Sequence, residues 1–201
     1  TGSYFNAIKA KDKLQNEYKD RKIIVIDSLC SSSGYGMLVD DAKDMFDEGV
    51  DYKEIINWLE ENKNRIHHQF YSTDLKYYRR TGRMSGPVAS IASVLKVNPI
   101  MRLNNKGKII AYDKAIGKKS AIKKTLDTME LHCDNGKDYS GKCFICHSNN
   151  LEDALLTKEK IKERFPHIKG EIKVCDIGPI IASHAGPGTI AVFFHGDERV
   201  E

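Results

Sequence analysis

His184 is the side chain best placed to hold or shed a proton near neutral pH beside a ligand. It sits in Asp176-Ile-Gly-Pro-Ile-Ile-Ala-Ser183-His184-Ala-Gly186-Pro187-Gly188. Apolar residues precede it, and Thr189-Ile-Ala-Val-Phe-Phe194 follows. Two such runs joined by Gly-Pro-Gly read as neighbouring strands, with the imidazole at the turn between them, where backbone N–H groups and loops meet ligands. A hydrogen-bonded core histidine is the plainer alternative. Three other segments gather polar groups at element ends. Thr1-Gly2-Ser3 sets two hydroxyls at a helix start, where unpaired N–H groups attract an anion, unless Thr1 or Ser3 simply caps the helix. Arg79-Arg80-Thr81-Gly82-Arg83-Met84-Ser85 is a basic turn before a helix. Arg83, between Gly82 and small residues, is suited to a bidentate grip on a carboxylate or phosphate, whereas Arg79 and Arg80 read as solvated. The Ser28–Gly36 loop closes a strand but lacks both the P-loop and the dinucleotide spacing, so it reads as structural.

These groups make an anion clamp rather than a bond-breaking machine. No Ser-His-Asp set or paired carboxylates stand out, and no hydroxyl has a dedicated base. Cys143-Phe-Ile-Cys146-His147 matches the haem-attachment spacing. However, it alternates like a short strand before an Asn-capped helix, and no second Cys/His pair stands at zinc-finger spacing. Neither a metal nor a cofactor is expected.

Composition narrows the class. The 201 residues carry 32 Lys and Arg against 28 Asp and Glu, scattered along the chain, giving a net charge of +4 without the concentrated basic stripe that nucleic acid requires. No apolar run is long enough for an integral membrane segment. The five cysteines are irregularly spaced, which argues for a reducing, cytoplasmic compartment rather than a disulfide framework. The chain begins at Thr1, with neither an initiator Met nor a leader pattern.

The elements that must position the clamp follow from periodicity. A helix is expected from Thr1 to about Tyr18, then a buried parallel strand at Lys22–Asp27. Two helices follow the Ser-rich loop, the second started by Asp51-x-x-Glu54, and a strand is expected at Phe70–Asp74. This alternation is the α/β pattern. The opening helix has no strand feeding it, so the first strands of the sheet are expected in a preceding segment. After residue 80 the pattern becomes α+β. A short helix is expected over Pro87–Leu95, a hairpin around Asn104-Asn-Lys-Gly107, and a basic helix at Lys118–His132. A strand at Cys143, an amphipathic helix at Leu151–Phe165 and two strands flanking His184 complete the reading.

Taken in order, the segments resemble the DegV family of bacterial fatty-acid-binding proteins. Thr1-Gly-Ser-Tyr4 resembles that family's Ser-Gly-Thr-Tyr helix start, and Asp27-Ser28 with Ser33-Gly34-x-Gly36 its strand and loop. Asp74-Leu-Lys-Tyr77 with Thr81-Gly-Arg-Met-Ser85 resembles its Asp-Leu-x-Tyr and Gly-Gly-Arg-Ile-Ser. Asn98-Pro-Ile100 is similar to its Lys-Pro-Ile, and Gly178 through His184-x-Gly-Pro-Gly188 to its closing motif. The resemblance implies an α/β fold in two domains: a Rossmann-like parallel-sheet domain with its front part missing (1–79) and a C-terminal α+β domain (80–201), with the ligand between them.

The implied ligand is a long-chain fatty acid such as palmitate, stearate or oleate. Its carboxylate would be held by Thr1, with Ser3 possible, Arg83 and His184, on turns supported by Gly82, Gly186 and Gly188. A further family threonine, in an upstream Thr-Ser-Gln-Pro, has no counterpart here; Thr81 replaces a usual Gly and Ala185 a common Thr. The implied role is a non-enzymatic carrier that presents its acid to a fatty acid kinase, which makes the acyl phosphate. Two alternatives stay open. One is an enzyme acting on a small carbonyl or phosphorylated substrate, since the fold resembles dihydroxyacetone kinase substrate domains. The other is a lipid store without a kinase.

Overall fold

A computed structural model describes residues 2–83 and 97–201. Along these residues run helices α1 (Ser3–Glu17), α2 (Ser33–Asp47) and α3 (Tyr52–Asn62), strand β1 (Ile66–Tyr71), helix α4 (Lys76–Arg80) and strands β2 (Val97–Leu103) and β3 (Ile109–Ile116). Then come α5 (Gly117–His132), β4 (Cys143–His147), α6 (Leu151–Arg164), β5 (Lys173–Asp176), α7 (Pro179–Ala185) and β6 (Ile190–His195). Local chemistry accounts for several boundaries. The Asp51 carboxylate accepts from the Lys53 N–H at 2.9 Å and starts α3. Gly49, at φ 80°, lets the Val50 N–H reach back to the Met45 carbonyl and stop α2. In the expected hairpin, Asn104 Oδ1 accepts from the Lys106 and Lys108 N–H groups at 3.0 and 2.9 Å, and Gly107 takes the left-handed position.

The strands form one six-stranded sheet in the order β3-β2-β1-β6-β4-β5. Every pairing is antiparallel except β4 with β5, so the sheet is mixed, where a parallel sheet was expected for the first part of the chain. β1 precedes residue 79 yet lies at the centre of the sheet, between β2 and β6. Alternation along the strands feeds two cores. Ile190, Val192 and Phe194 join the Ile122, Leu126, Met129 and Ile161 side chains of α5 and α6. Ala191 and Phe193 face the other way, onto Met37, Leu38, Tyr78 and Ala185 of α2, α4 and α7.

Three further expectations change. Lys22–Asp27 takes no place in the sheet. Its apolar run suits a strand, but a strand exists only where a neighbour pairs its N–H and C=O groups, and no described strand lies beside it. The segment before His184 is helix α7, not a strand. Gly178-Pro179 starts it, because a proline at the first helical position loses no hydrogen bond. The strands around α7 are not neighbours either, since β4 separates β5 from β6. β1 also starts at Ile66, earlier than the expected Phe70. The helix expected over Pro87–Leu95, together with Thr1, lies outside the described residues.

Candidate functional site

Helix α4, which leads into the basic turn, packs against α7, which carries His184. Two glycines permit that approach. A Cβ on Gly186 would come within 2.3 Å of the Tyr77 ring, and one on Gly188 within 2.2 Å of Thr73 Oγ1. Both glycines are left-handed, at φ 76° and 81°. Hydroxyls tie the floor together: Thr189 Oγ1 lies 3.1 Å from Ser72 Oγ and 3.0 Å from the Ala185 carbonyl. The buried Tyr78 hydroxyl bonds to Thr189, while burial pushes its own ionisation well up.

His184 lies in the last turn of α7 and is half-buried. Its Nδ1 is shielded from solvent and has no hydrogen-bond partner among the described residues. Ser183 Oγ does not serve it, because that hydroxyl donates to the Ile180 carbonyl at 2.7 Å. A nucleophile–base pair is therefore not formed there. An imidazole nitrogen without a partner, in a shielded position, calls for an outside one.

Arg83 follows α4 through Gly82, whose φ is 65°. Its N–H returns to the Tyr78 carbonyl at 2.8 Å and its Nη1 donates to the Thr81 carbonyl at 2.8 Å. The side chain is exposed, and no ion pair of the described residues includes it. Lys76, Arg79 and Arg80 share α4, with Lys76 Nζ and the Arg80 guanidinium over the Tyr77 ring at 5.3 and 5.1 Å. The α4–α7 corner thus carries basic side chains on α4 and a ring nitrogen on α7 without a partner among the described residues. Ser3 opens α1 and is exposed. Gly2, not a hydroxyl, occupies the cap position, and no side-chain cap is made.

The Ser28–Gly36 loop is anchored as structure, by residues the sequence did not single out. His68 Nε2 accepts the Ser31 N–H at 3.1 Å, its Nδ1 donates to the Ile66 carbonyl, and Gly34 lies so near the ring that a Cβ would come within 2.1 Å. Burial holds the His68 ring neutral, well below the usual histidine range. Arg199, also buried, donates to the Leu29 carbonyl at 3.0 Å. β4 sends Cys143 and Cys146 to opposite faces of the sheet, so the Cys-x-x-Cys spacing cannot grip one group. A cleft of about 420 Å³ opens elsewhere, lined by Asp41, Trp58, Arg65, Asp134 and His195 among others. Arg65 pairs there with Asp134 at 2.8 Å, and His195 Nε2 lies 3.3 Å from Asp41 Oδ2, a polar lining that does not suit an acyl tail.

Residues 1–197 match the family model described as an uncharacterised protein of the DegV family. The chain belongs to the DegV family. A DegV domain-containing protein of Clostridium perfringens is 36% identical over 199 residues, covering 99% of this chain and 67% of that relative. A DegV family structure from Ruminococcus gnavus, refined with vaccenic acid, is 27% identical with a TM-score of 0.83, covering 96% of this chain and 67% of that one. The Streptococcus pneumoniae fatty acid kinase (Fak) B3 protein, loaded with linoleic acid, superposes with a TM-score of 0.87 at 22% identity, over 98% of this chain and 68% of that chain. This last likeness is one of DegV fold. No helix of the described residues is long and apolar enough to cross a membrane.

Proposed function

We propose that this DegV chain binds a long-chain fatty acid, with Arg83 and His184 on its carboxylate, and presents that group to a fatty acid kinase in the cytoplasm. The observation that carries the reading is the shielded Nδ1 of His184, without a partner among the described residues, on the helix that packs against α4. A buried carboxylate is costly unless paired, and a guanidinium with an imidazolium or imidazole N–H offsets that cost. Each methylene of the tail adds about 0.8 kcal/mol on leaving water, so a long tail supplies on the order of 10 kcal/mol. The reading assigns Thr1, with Ser3 as the alternative hydroxyl, to complete the clamp, Gly82, Gly186 and Gly188 to shape its turns, and the acid to lie between the two domains. The R. gnavus and S. pneumoniae proteins, described as holding vaccenic and linoleic acid, support the ligand class, and the kinase name of the latter supports the partner.

The carrier reading is supported by Ser183, whose hydroxyl is engaged with the Ile180 carbonyl and not with His184. Mass spectrometry on gently denatured protein is expected to release C14 to C20 acids. An empty protein that instead binds small polar ketones would support the small-carbonyl enzyme and defeat the carrier. Release of acids without transfer of phosphate by a fatty acid kinase would leave a lipid store.

A further inference from the structure

Cys146 and Cys175 face each other across the parallel pair of strands, and the lipid-binding reading uses neither. They are register partners on β4 and β5, so both side chains leave the sheet on the same face. Neighbouring strands lie about 4.8 Å apart, inside the roughly 4.4–6.8 Å between Cα atoms that a disulfide spans. Cys175 Sγ lies 3.6 Å from the Ile145 carbonyl, on the residue next to Cys146 in β4. Each also touches a hydroxyl at the start of α2: Cys146 Sγ lies 3.2 Å from Ser32 Oγ, and Cys175 Sγ 3.3 Å from Ser33 Oγ. Cys146 is buried and Cys175 exposed, so one sulfur is open to solvent and the second waits directly behind it. The other cysteines are set apart. Cys143 leaves β4 on the opposite face, and burial pushes the Cys30 and Cys133 thiols up to about 11.

We propose that Cys146 and Cys175 form a peroxide-responsive dithiol, which a hydroperoxide converts into a cross-strand disulfide. Cys175 is the exposed member of the pair and Cys146 the buried one, so a peroxide meets Cys175 first, and Cys175 as its thiolate is the attacking group. The neighbouring Cys146 and Ser33 lower the Cys175 thiol from its ordinary range. Its sulfur bonds to the outer peroxide oxygen, the O–O bond breaks, and the departing hydroxide takes up a proton to leave as water. The resulting sulfenic acid is attacked by Cys146, whose proton goes to the leaving hydroxyl; the S–S bond forms, the S–O bond breaks and a second water leaves. Two thiols are oxidised and one peroxide is reduced to two waters. Bond formation draws Cys146 Sγ from Ser32 Oγ and Cys175 Sγ from Ser33 Oγ, so the start of α2 registers the change.

The test treats the chain with hydrogen peroxide, blocks remaining thiols with iodoacetamide, and maps a digest by mass spectrometry without reductant. The expected result is one linked pair joining the Cys146 and Cys175 peptides, with the titratable thiols of the denatured protein falling from five to three and returning to five with dithiothreitol. Cys146→Ser should stop Cys175 at the sulfenic acid, captured as a dimedone adduct. Cys175→Ser, an exposed change, should keep all four of its thiols through the treatment. Five thiols surviving in the wild type, a bridge to Cys30, Cys133 or Cys143, or a dimedone adduct on wild-type Cys175 without any bridge would each overturn the proposal.

Discussion

At the scale of single residues, the proposed clamp rests on two side chains, Arg83 and His184, and on two glycines, Gly186 and Gly188. Arg83 is exposed and bonded only to backbone, so Arg83→Ala removes charge without opening the core. Acyl binding should weaken about 10- to 100-fold, as expected for loss of a charged hydrogen bond, with melting unchanged. His184→Ala should weaken binding comparably, and His184→Asn should restore part of it. Isothermal titration with a labelled acid measures both, and unchanged affinity in the two alanine variants would remove them from the clamp. Gly186→Ala tests the floor. The added methyl meets the Tyr77 ring at a left-handed backbone, which should cost about 1–3 kcal/mol in urea unfolding. Adding Tyr77→Ala should recover the steric share but not the backbone share. Equal stability of Gly186→Ala and wild type would mean that the α4–α7 contact is looser than this geometry. The sequence singled out Arg83 by its place between Gly82 and small residues, and His184 by the Gly186-Pro187-Gly188 turn beside it. That Nδ1 has no partner among the described residues was not legible, since it depends on where Ser183 points.

Between elements, the ties are electrostatic as well as apolar. Lys142, just before β4, reaches Asp40, Asp41 and Asp44 of α2 at 2.8, 2.9 and 2.6 Å, and Lys173 of β5 also reaches Asp40. Removing Lys142 leaves three carboxylates on one helix face with a single remaining cation. Lys142→Met should therefore lower stability by about 1–3 kcal/mol, less at high salt, because screening eases the repulsion. A salt-independent loss would show that packing, not charge, holds α2 there. The same scale explains what periodicity could and could not show. α2, α3, α5, α6 and the β2–β3 hairpin were legible because their caps, stops and turn residues act locally, as Asp51, Gly49 and Asn104 do. α7 was misread as a strand because seven residues are too few to show a helical period, and its Ile-Ile pair suits either element. The Lys22–Asp27 run failed for another reason: pairing is a property of two segments, and one segment's composition cannot supply the other.

For the molecule as a whole, acid stability turns on a buried group. His67 is almost fully buried between Phe194 and His132, and burial pushes it down to about 4, although its Nε2 lies 2.9 Å from Asp197 Oδ1. The unfolded chain therefore binds a proton below about pH 6.5 that the folded chain refuses until about pH 4. Stability from this group is complete above the higher value and is lost progressively as pH falls through that window, by about 3 kcal/mol. His67→Gln should flatten the wild-type slope of stability against pH between 6.5 and 4 by that amount. Identical slopes in urea unfolding would show that Asp197 keeps the ring protonated. The family likewise became legible only over the full length, from several short matches in order, while the mixed sheet did not, because strand direction is written in none of them.

The position of β1 has a consequence for how this protein comes into being. One of the strand's two neighbours, β6, is made roughly 120 residues after it. Until then Ile66-His-His-Gln-Phe-Tyr71 has one edge unpaired, and closing it means bringing distant stretches of polypeptide together. Such topology makes acquisition of the native state slow. During synthesis, that edge of β1 finds its native partner only once β6 has been made.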